Sequence, residues 1–287
     1  MFWHIVLIIL LVFFALFGLI ALFKPSSVYK NCLDQKNPME GKRVIFVEDE
    51  RDPQNADGVC GHLQAVGDSG KREGFYETVI KRLLDLGLSF GGLVLLSPFY
   101  LCLSIAVFID DPGPIFFKQK RVGKDKQYFQ LHKFRSMKMS TPRDVPTHML
   151  INPEQYITKV GKFMRAHSLD ELPQIWDIFI GNMSVIGPRP ALWNQDLLIA
   201  ERDKYHANDV KPGLTGMAQI NGRDELGILD KAKYDGEYVE KLNFKTDVKC
   251  FFGSVRVFVE DKTIVEGAVE KEHSDEDCEN DQGDEGK

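Results

Sequence analysis

The chain begins with a long apolar segment. Phe2 to Phe23 is interrupted only by His4 and Gly18, and as a helix it would extend about 33 Å, enough to cross a bilayer core of about 30 Å. A cleaved signal peptide fits less well, because no basic residue precedes the run and no small-residue cleavage site follows it. We therefore predict a transmembrane anchor over residues 1–24. Lysines and arginines occur only after it, which places the rest of the chain in the cytoplasm.

A second apolar segment runs from Leu83 to Ile109, with Ser97 and Pro98 near its middle. Proline bends a helix by removing one backbone hydrogen bond, and each half of the segment would be about 16 Å long, roughly half a bilayer. The Ser97 hydroxyl is the expected partner of the carbonyl that proline leaves free. Two structures fit the residues, a re-entrant helix that enters and leaves by one face and a proline-kinked full span.

The remaining pattern predicts a mixed domain of helices and strands. Residues 25–75 are polar, contain several prolines and glycines, and predict a linker with one strand-like run at 44–47. Apolar and polar residues alternate over Ile115–Val122 and Tyr128–Met137, which indicates a β-hairpin. Helical periodicity follows in four segments, 154–165, 191–208, 226–242 and 249–259. The predicted fold class is α+β and mainly helical.

Charge is distributed unevenly along the chain. Residues 266–287 carry ten acidic and two basic side chains, so this segment is predicted to be a disordered acidic tail. The chain before it is mildly basic, which suits partners that carry phosphate. The five cysteines are scattered without a Cys-x-x-Cys spacing and indicate neither a zinc site nor a disulfide framework.

Two adjacent carboxylates, Asp170 and Glu171, are the strongest candidates for chemistry. Ser168 and Glu171 have the spacing of a capping box, which predicts that a helix begins here. A helix N-terminus favours negative charge and offers free N–H groups to phosphate. An ionised Asp170 in this position could ligate Mg²⁺ or attack phosphorus. A purely structural cap is the alternative.

Basic residues in motif-like settings are candidates for binding phosphate. Arginine forms bidentate, charge-assisted hydrogen bonds to phosphate oxygens. Ordinary solvated surface charge is the alternative for most basic residues, and it is weaker for Arg189, which lies between two prolines, and for Arg223, which follows Asn-Gly. The Gly/Pro-rich loops at 187–190 and 211–216 resemble backbone segments that approach a ligand. The candidates are Arg165, Arg189, Arg135, Lys133 and Arg223.

Taken in order, these motifs resemble the bacterial sugar transferases, which are monotopic phosphoglycosyl transferases, over about residues 75–267. Small departures are His167, where Thr or Tyr is more usual, and Met217, where Trp is common. The matching segments are Lys81-Arg82-Leu83-Leu84-Asp85, Ser97-Pro98, Asp111-Pro112-Gly113-Pro114, Gln119-Lys120-Arg121-Val122-Gly123, Lys133-Phe134-Arg135-Ser136-Met137, Ser168-Leu169-Asp170-Glu171-Leu172-Pro173-Gln174, Gly187-Pro188-Arg189-Pro190 and Lys211-Pro212-Gly213-Leu214-Thr215-Gly216.

The resemblance implies an architecture at the bacterial inner membrane. A re-entrant helix over 76–110, kinked at Ser97 and Pro98, would precede a cytosolic catalytic domain over 111–265. That domain would contain a β-hairpin and amphipathic helices at the membrane interface. The implied partners are a UDP-sugar, a polyprenyl phosphate lipid, the membrane and downstream glycosyltransferases, but not nucleic acid.

The resemblance also implies a reaction. A sugar-1-phosphate would pass from the UDP-sugar to polyprenyl (undecaprenyl) phosphate with release of UMP. This step would initiate assembly of an exopolysaccharide, capsule, O-antigen or glycoprotein glycan. Asp170 would be the nucleophile and form a covalent aspartyl phosphosugar, and Glu171 would orient the metal or act as a base. The implied cofactor is Mg²⁺, with Asp170 as its ligand.

Two other classes of function fit parts of the sequence. A non-catalytic membrane scaffold could recruit partners through the acidic tail or the linker, but the acidic pair argues against it. A hydrolase of nucleotide sugars would release UMP without needing a polyprenyl phosphate acceptor.

Overall fold

The computed structural model describes residues 36–70, 74–141, 152–222 and 225–260. The predicted anchor at 1–24, the acidic tail at 266–287 and Arg223 lie outside the described residues. The strands are β1 Lys42–Glu48, β2 Gly61–Asp68, β3 Phe116–Val122, β4 Tyr128–Phe134, β5 Ser184–Ile186 and β6 Gly213–Thr215. The helices are α1 Lys81–Leu95, α2 Ser97–Asp110, α3 Lys159–Ala166, α4 Gln174–Ile180, α5 Asp196–Lys204, α6 Met217–Ile220, α7 Ile228–Glu240 and α8 Phe244–Glu260.

The second apolar segment forms a bent pair of helices. A π-helical turn at Tyr76–Ile80 leads into α1, and the axis then turns by 61° before α2. Pro98 has no N–H for the carbonyl of Val94, and the Ser97 hydroxyl donates to that carbonyl instead, at 2.8 Å. The position of the bend and the role of Ser97 are therefore confirmed.

Within the described ranges, no single helix is long and apolar enough to cross a membrane, whereas the bent pair meets that requirement by length and composition. One side of the pair belongs to the core, where Leu93, Tyr100 and Leu103 pack with Phe134 and Met164. The other side exposes apolar side chains: Leu83, Leu88, Leu95, Ile105, Phe108 and Ile109. Insertion of this pair into a membrane stays a prediction.

The described strands form three separate two-stranded sheets. The predicted hairpin is confirmed as antiparallel β3 and β4, whose register runs from Phe116 opposite Phe134 to Val122 opposite Tyr128. Strands β5 and β6 are parallel, with Ser184 opposite Gly213. Helices predominate over strands, as the predicted fold class requires.

The predicted helical segments are present with shifted ends. The segment at 154–165 is divided into a 3-10 turn at Pro153–Tyr156 and helix α3, because the Thr158 side chain accepts from the N–H of Gly161 and caps a new start. Helices α5 and α7 lie inside the predicted segments. Helix α8 begins five residues before the predicted start at Lys249.

The segment predicted as a linker contains a folded antiparallel hairpin, β1 and β2. This hairpin packs on α5: Val44 is buried with Leu198 and Ile199, and its N–H donates to the Asp203 carboxylate at 2.8 Å. Arg43 adds an ion pair to Asp209 at 3.0 Å. The sequence did not indicate the hairpin because most of β2 is exposed and therefore contains few apolar residues.

Three glycines allow the loops at 187–190 and 211–216 to touch each other. A Cβ on Gly213 would lie 2.1 Å from the Gly187 nitrogen, and one on Gly216 would lie 2.1 Å from the Gly187 oxygen. These loops were expected to bring their backbone close to a ligand. The structure shows a close approach between the two loops, which requires small residues at these positions, and approach to a ligand stays a prediction.

Gly213→Ala should therefore destabilise the fold by about 3 kcal/mol, the upper end of the usual cost of overpacking, since backbone rather than a flexible side chain blocks the new methyl group. Thermal unfolding of the purified chain measures the loss. Gly67→Ala is the matched control, because a Cβ there meets nothing within 4 Å. Equal melting temperatures for the two variants would show that the loops can separate without cost.

Candidate active site

Asp170 and Glu171 lie in a short 3-10 turn, Leu169–Glu171, between α3 and α4. Both carboxylates are buried, with 3% and 8% of their residue surfaces exposed. The predicted capping box is wrong, because Ser168 adopts a left-handed backbone conformation (φ 52°) and makes no side-chain capping hydrogen bond. The Glu171 carboxylate contacts two cations instead of reaching back to the backbone.

Those two cations are Lys133 of β4 and Arg189 of the loop after β5. The Lys133 ammonium lies 2.8 Å from Glu171 Oε1, and the Arg189 guanidinium lies 2.7 Å from Oε1 and 3.3 Å from Oε2. Burial alone would raise the pKa of Glu171, but Arg189 and Lys133 outweigh it and hold this pKa well below its usual range. Glu171 is thus a poor proton acceptor near neutral pH. The geometry favours a positioning role for Glu171 over the role of base.

Lys133 also connects the two carboxylates, since its ammonium lies 3.9 Å from Asp170 Oδ2. One cation therefore lies between the two acidic side chains. An anionic substrate that approaches Asp170 would meet Lys133 and Arg189 at the same place, which reduces the repulsion between carboxylate and phosphate.

A buried contact fixes the strand that carries Lys133 against α4. Asp177 accepts from the backbone N–H of His132 at 2.9 Å, and its second oxygen lies 2.7 Å from His132 Nδ1. Asp177 is fully buried. Our sequence interpretation missed it, although a lone carboxylate within the apolar run Ile175–Ile180 is a usable signal, because a buried charge requires a partner.

The backbone around Arg189 is held by two further arginines. Arg202 donates to the Arg189 carbonyl at 2.9 Å and is itself fixed by a buried ion pair with Asp235 at 2.6 Å. Arg121 donates to the Pro190 carbonyl at 2.9 Å. These contacts position the Arg189 side chain against Glu171 through the main chain of its loop.

The structure brings together only part of the predicted phosphate-binding set. Two of its members, Lys133 and Arg189, lie beside the acidic pair, and these four side chains form one cluster. The Arg135 guanidinium instead lies 3.3 Å from the Asp111 carboxylate and donates to the Asp111 carbonyl, and Arg165 donates to the Ser136 hydroxyl at 2.9 Å. Contact of Arg135, Arg165 and Arg223 with phosphate stays a prediction.

A magnesium ion at this site would have few protein ligands. Among the described residues, no group of three or more His, Cys, Asp or Glu side chains could hold a metal. The charge of Glu171 is already matched by Lys133 and Arg189. Binding of Mg²⁺ by Asp170 stays a prediction, and such an ion commonly takes one or two carboxylates and completes its octahedron with substrate phosphate oxygens and water.

Comparison with known proteins identifies the family. The model of the family "Bacterial sugar transferase" matches residues 76–261, more than half of the chain. The chain belongs to the bacterial sugar transferase family. The resemblance seen in the motifs is thereby confirmed, and the prediction that the chain is a transferase is confirmed with it.

Several relatives of this sugar transferase have names that state an activity or a pathway. It is 38% identical over 190 residues to the UDP-glucose:undecaprenyl-phosphate glucose-1-phosphate transferase of Escherichia coli K12, covering 62% of this chain and 39% of that protein. It is 32% identical over 200 residues to the galactosyl transferase CpsE of Streptococcus agalactiae, covering 62% of this chain and 42% of the relative.

A third relative is matched over nearly its whole length. The exopolysaccharide production protein PSS of Rhizobium leguminosarum is 33% identical over 193 residues, which cover 62% of this chain and 94% of PSS. By contrast, the matched region spans well under half of the glucose-1-phosphate transferase and of CpsE. The β1–β2 hairpin of this sugar transferase lies before the region that the family model matches.

Proposed function

We propose that this sugar transferase moves a sugar-1-phosphate from a UDP-sugar to a polyprenyl phosphate, releases UMP and so initiates assembly of a polysaccharide. The observation that carries the proposal is the buried Asp170–Glu171 pair inside the region shared with the family, where Lys133 contacts both carboxylates and Arg189 contacts Glu171. The names of relatives, which include undecaprenyl-phosphate glucose-1-phosphate transferases and exopolysaccharide proteins, support the same reaction.

The proposed reaction has two displacements at one phosphorus atom. A carboxylate oxygen of Asp170 attacks the phosphorus that carries the sugar, and the bond to UMP breaks with its electron pair leaving on UMP. An oxygen of the lipid phosphate then attacks the same phosphorus, and Asp170 departs as a carboxylate. Dividing the transfer in this way lets each anionic substrate react with the enzyme separately.

Lys133 and Arg189 would stabilise the charge that gathers around this phosphorus, and Glu171 would hold both cations in position. Bound Mg²⁺ would supply further charge neutralisation at the diphosphate. The tight ion pairs of Glu171 support a fixed arrangement of cations that exists before substrate binds.

The location proposed for the reaction is the cytosolic face of the bacterial inner membrane. The bent helix pair exposes apolar side chains on one side, and α8 exposes Phe251, Phe252 and Val255. Exposed apolar side chains of this kind favour contact with lipid. The polyprenyl chain of the acceptor would lie in the same membrane.

The test is release of UMP by the purified full chain in detergent, with a panel of UDP-sugars and with or without undecaprenyl phosphate. We expect continuous UMP release from at least one UDP-sugar only when the lipid is present, because without acceptor the reaction stops at the covalent stage. A labelled sugar should then partition into organic solvent. Sustained release without lipid would indicate a hydrolase, and no release from any UDP-sugar would favour a scaffold.

A further inference from the structure

A polar cavity of about 140 Å³ lies between the start of the bent helix pair and the loop before β6. Four cationic and two acidic side chains are part of its lining: Lys81, Arg82, Lys124, Lys211, Glu77 and Asp85. One water molecule occupies about 30 Å³ in the liquid, so the cavity has room for a phosphate group but not for a whole nucleotide.

This cavity is separate from the acidic pair. Arg82 donates to the carbonyls of Ile178 and Phe179, at 2.7 and 2.8 Å, and so lies at the C-terminal end of α4. Asp170 and Glu171 precede the N-terminal end of the same helix. A helix of this length is about 10 Å long. None of the four converging active-site side chains lines the cavity.

The charges in the cavity do not balance. Lys81 is matched by Asp247 at 2.6 Å, and Lys124 lies 3.9 Å from Glu77. Arg82 contacts backbone carbonyls rather than a carboxylate. In the part of the chain that the structure describes, the ammonium group of Lys211 forms no salt bridge or hydrogen bond.

The one carboxylate left to offset Arg82 and Lys211 is Asp85. It already accepts hydrogen bonds from the Ser184 hydroxyl at 3.0 Å and from the Val185 N–H at 2.9 Å. Burial lowers the pKa of Lys211, and the like charges of Arg82 and Lys124 lower it further. A bound anion would offset the repulsion between these like charges.

We propose that the cavity is a binding site for a phosphate ester anion, with Lys211 and Arg82 as its main contacts. The excess positive charge suits an anionic group, and the size suits a phosphate whose substituents extend outside. A phospholipid headgroup and a small soluble phosphate ester share this chemistry. The site does not depend on the proposed transfer reaction, and its test needs no turnover.

The test follows the reactivity of Lys211 in the full chain by limited acylation with an amine reagent and peptide mass spectrometry. One arm adds inorganic phosphate or glycerol phosphate to the protein in detergent, against sodium chloride of equal ionic strength. The other arm compares nanodiscs of phosphatidylglycerol with lipid-free detergent. Acylation of Lys211 should slow about tenfold at a ligand concentration ten times the Kd, because occupied sites are protected.

Protection in the first arm identifies a soluble phosphate, and protection in the second a lipid headgroup. The exposed Lys245 provides the internal reference, since it lies outside the cavity. In a thermal-shift titration with the protecting ligand, Lys211→Gln should lose the stabilisation and Lys245→Gln should keep it. Protection that chloride reproduces, equal slowing at Lys245, or no protection in either arm would overturn the proposal, whether or not the chain releases UMP.

Discussion

Asp170→Asn should abolish sugar-1-phosphate transfer and leave the fold intact. The amide has nearly the same shape as the carboxylate but cannot attack phosphorus as an anion, and loss of a covalent nucleophile costs at least about a thousandfold in rate. Lys133 keeps its closer partner, Glu171 at 2.8 Å, so no buried cation loses its pairing. UMP release measures the activity, and the thermal unfolding midpoint checks the fold.

The matched comparison is Glu171→Gln. This variant keeps the proposed nucleophile and loses the charge that holds Lys133 and Arg189, so it should be slower than the parent but still active. Incubation with a UDP-sugar and no acceptor should add the mass of the sugar phosphate to the peptide that contains residue 170, in the parent and in Glu171→Gln. Full transfer by Asp170→Asn, or an adduct on another peptide, would remove Asp170 from the role of nucleophile.

The sequence predicted the parts of the site that depend on local pattern. The bend follows from a proline within an apolar helix, and the β3–β4 hairpin follows from alternation on both sides of a polar turn. The capping box failed because partners far along the chain decided where Glu171 binds: Lys133 and Arg189 lie 38 and 18 residues away. Two cations stabilise a buried carboxylate more than one backbone N–H does.

Arg135 shows the same limit of local reasoning. It shares the motif Lys133-Phe134-Arg135-Ser136 with Lys133, which predicts that both contact phosphate, and for Arg135 that contact stays a prediction. Strand β4 ends at Phe134, and Arg135 lies in the segment beyond it, where its guanidinium contacts Asp111. Where a strand ends is set by its partner β3 and by the chain packed around it, and no pattern within the motif reports this.

Hydropathy also gives no sign of which charges are buried. Lys126, in the turn of the β3–β4 hairpin, has no exposed surface, and Asp203 of α5 is 3% exposed. The Lys126 ammonium nitrogen lies 2.7 Å from Asp203 Oδ1. Asp203 additionally accepts from the Val44 N–H of β1 and from the Asn208 side chain. One carboxylate thus joins the two hairpins and a helix.

Asp203→Leu should therefore destabilise the chain by about 3–5 kcal/mol, because Lys126 would keep a buried charge without its counterion. For a chain of this size the thermal midpoint should fall by roughly 10 °C. Glu201→Ala on the same helix is the control. Its partner, Lys204, is exposed, so loss of that pair should cost less than about 1 kcal/mol.

The double variant Lys126→Met with Asp203→Leu separates charge from packing. It should recover more than half of the lost stability, since an apolar pair can replace a buried ion pair of similar volume. Recovery should be incomplete because the Val44 N–H and the Asn208 amide still lose an acceptor. If the double variant is no more stable than Asp203→Leu, the loss of stability comes from those hydrogen bonds and not from the unpaired charge of Lys126. Because β1 precedes the matched region 76–261, hydrogen exchange of the amides that bond between β1 and β2 would then show whether this hairpin is released before the transferase domain unfolds.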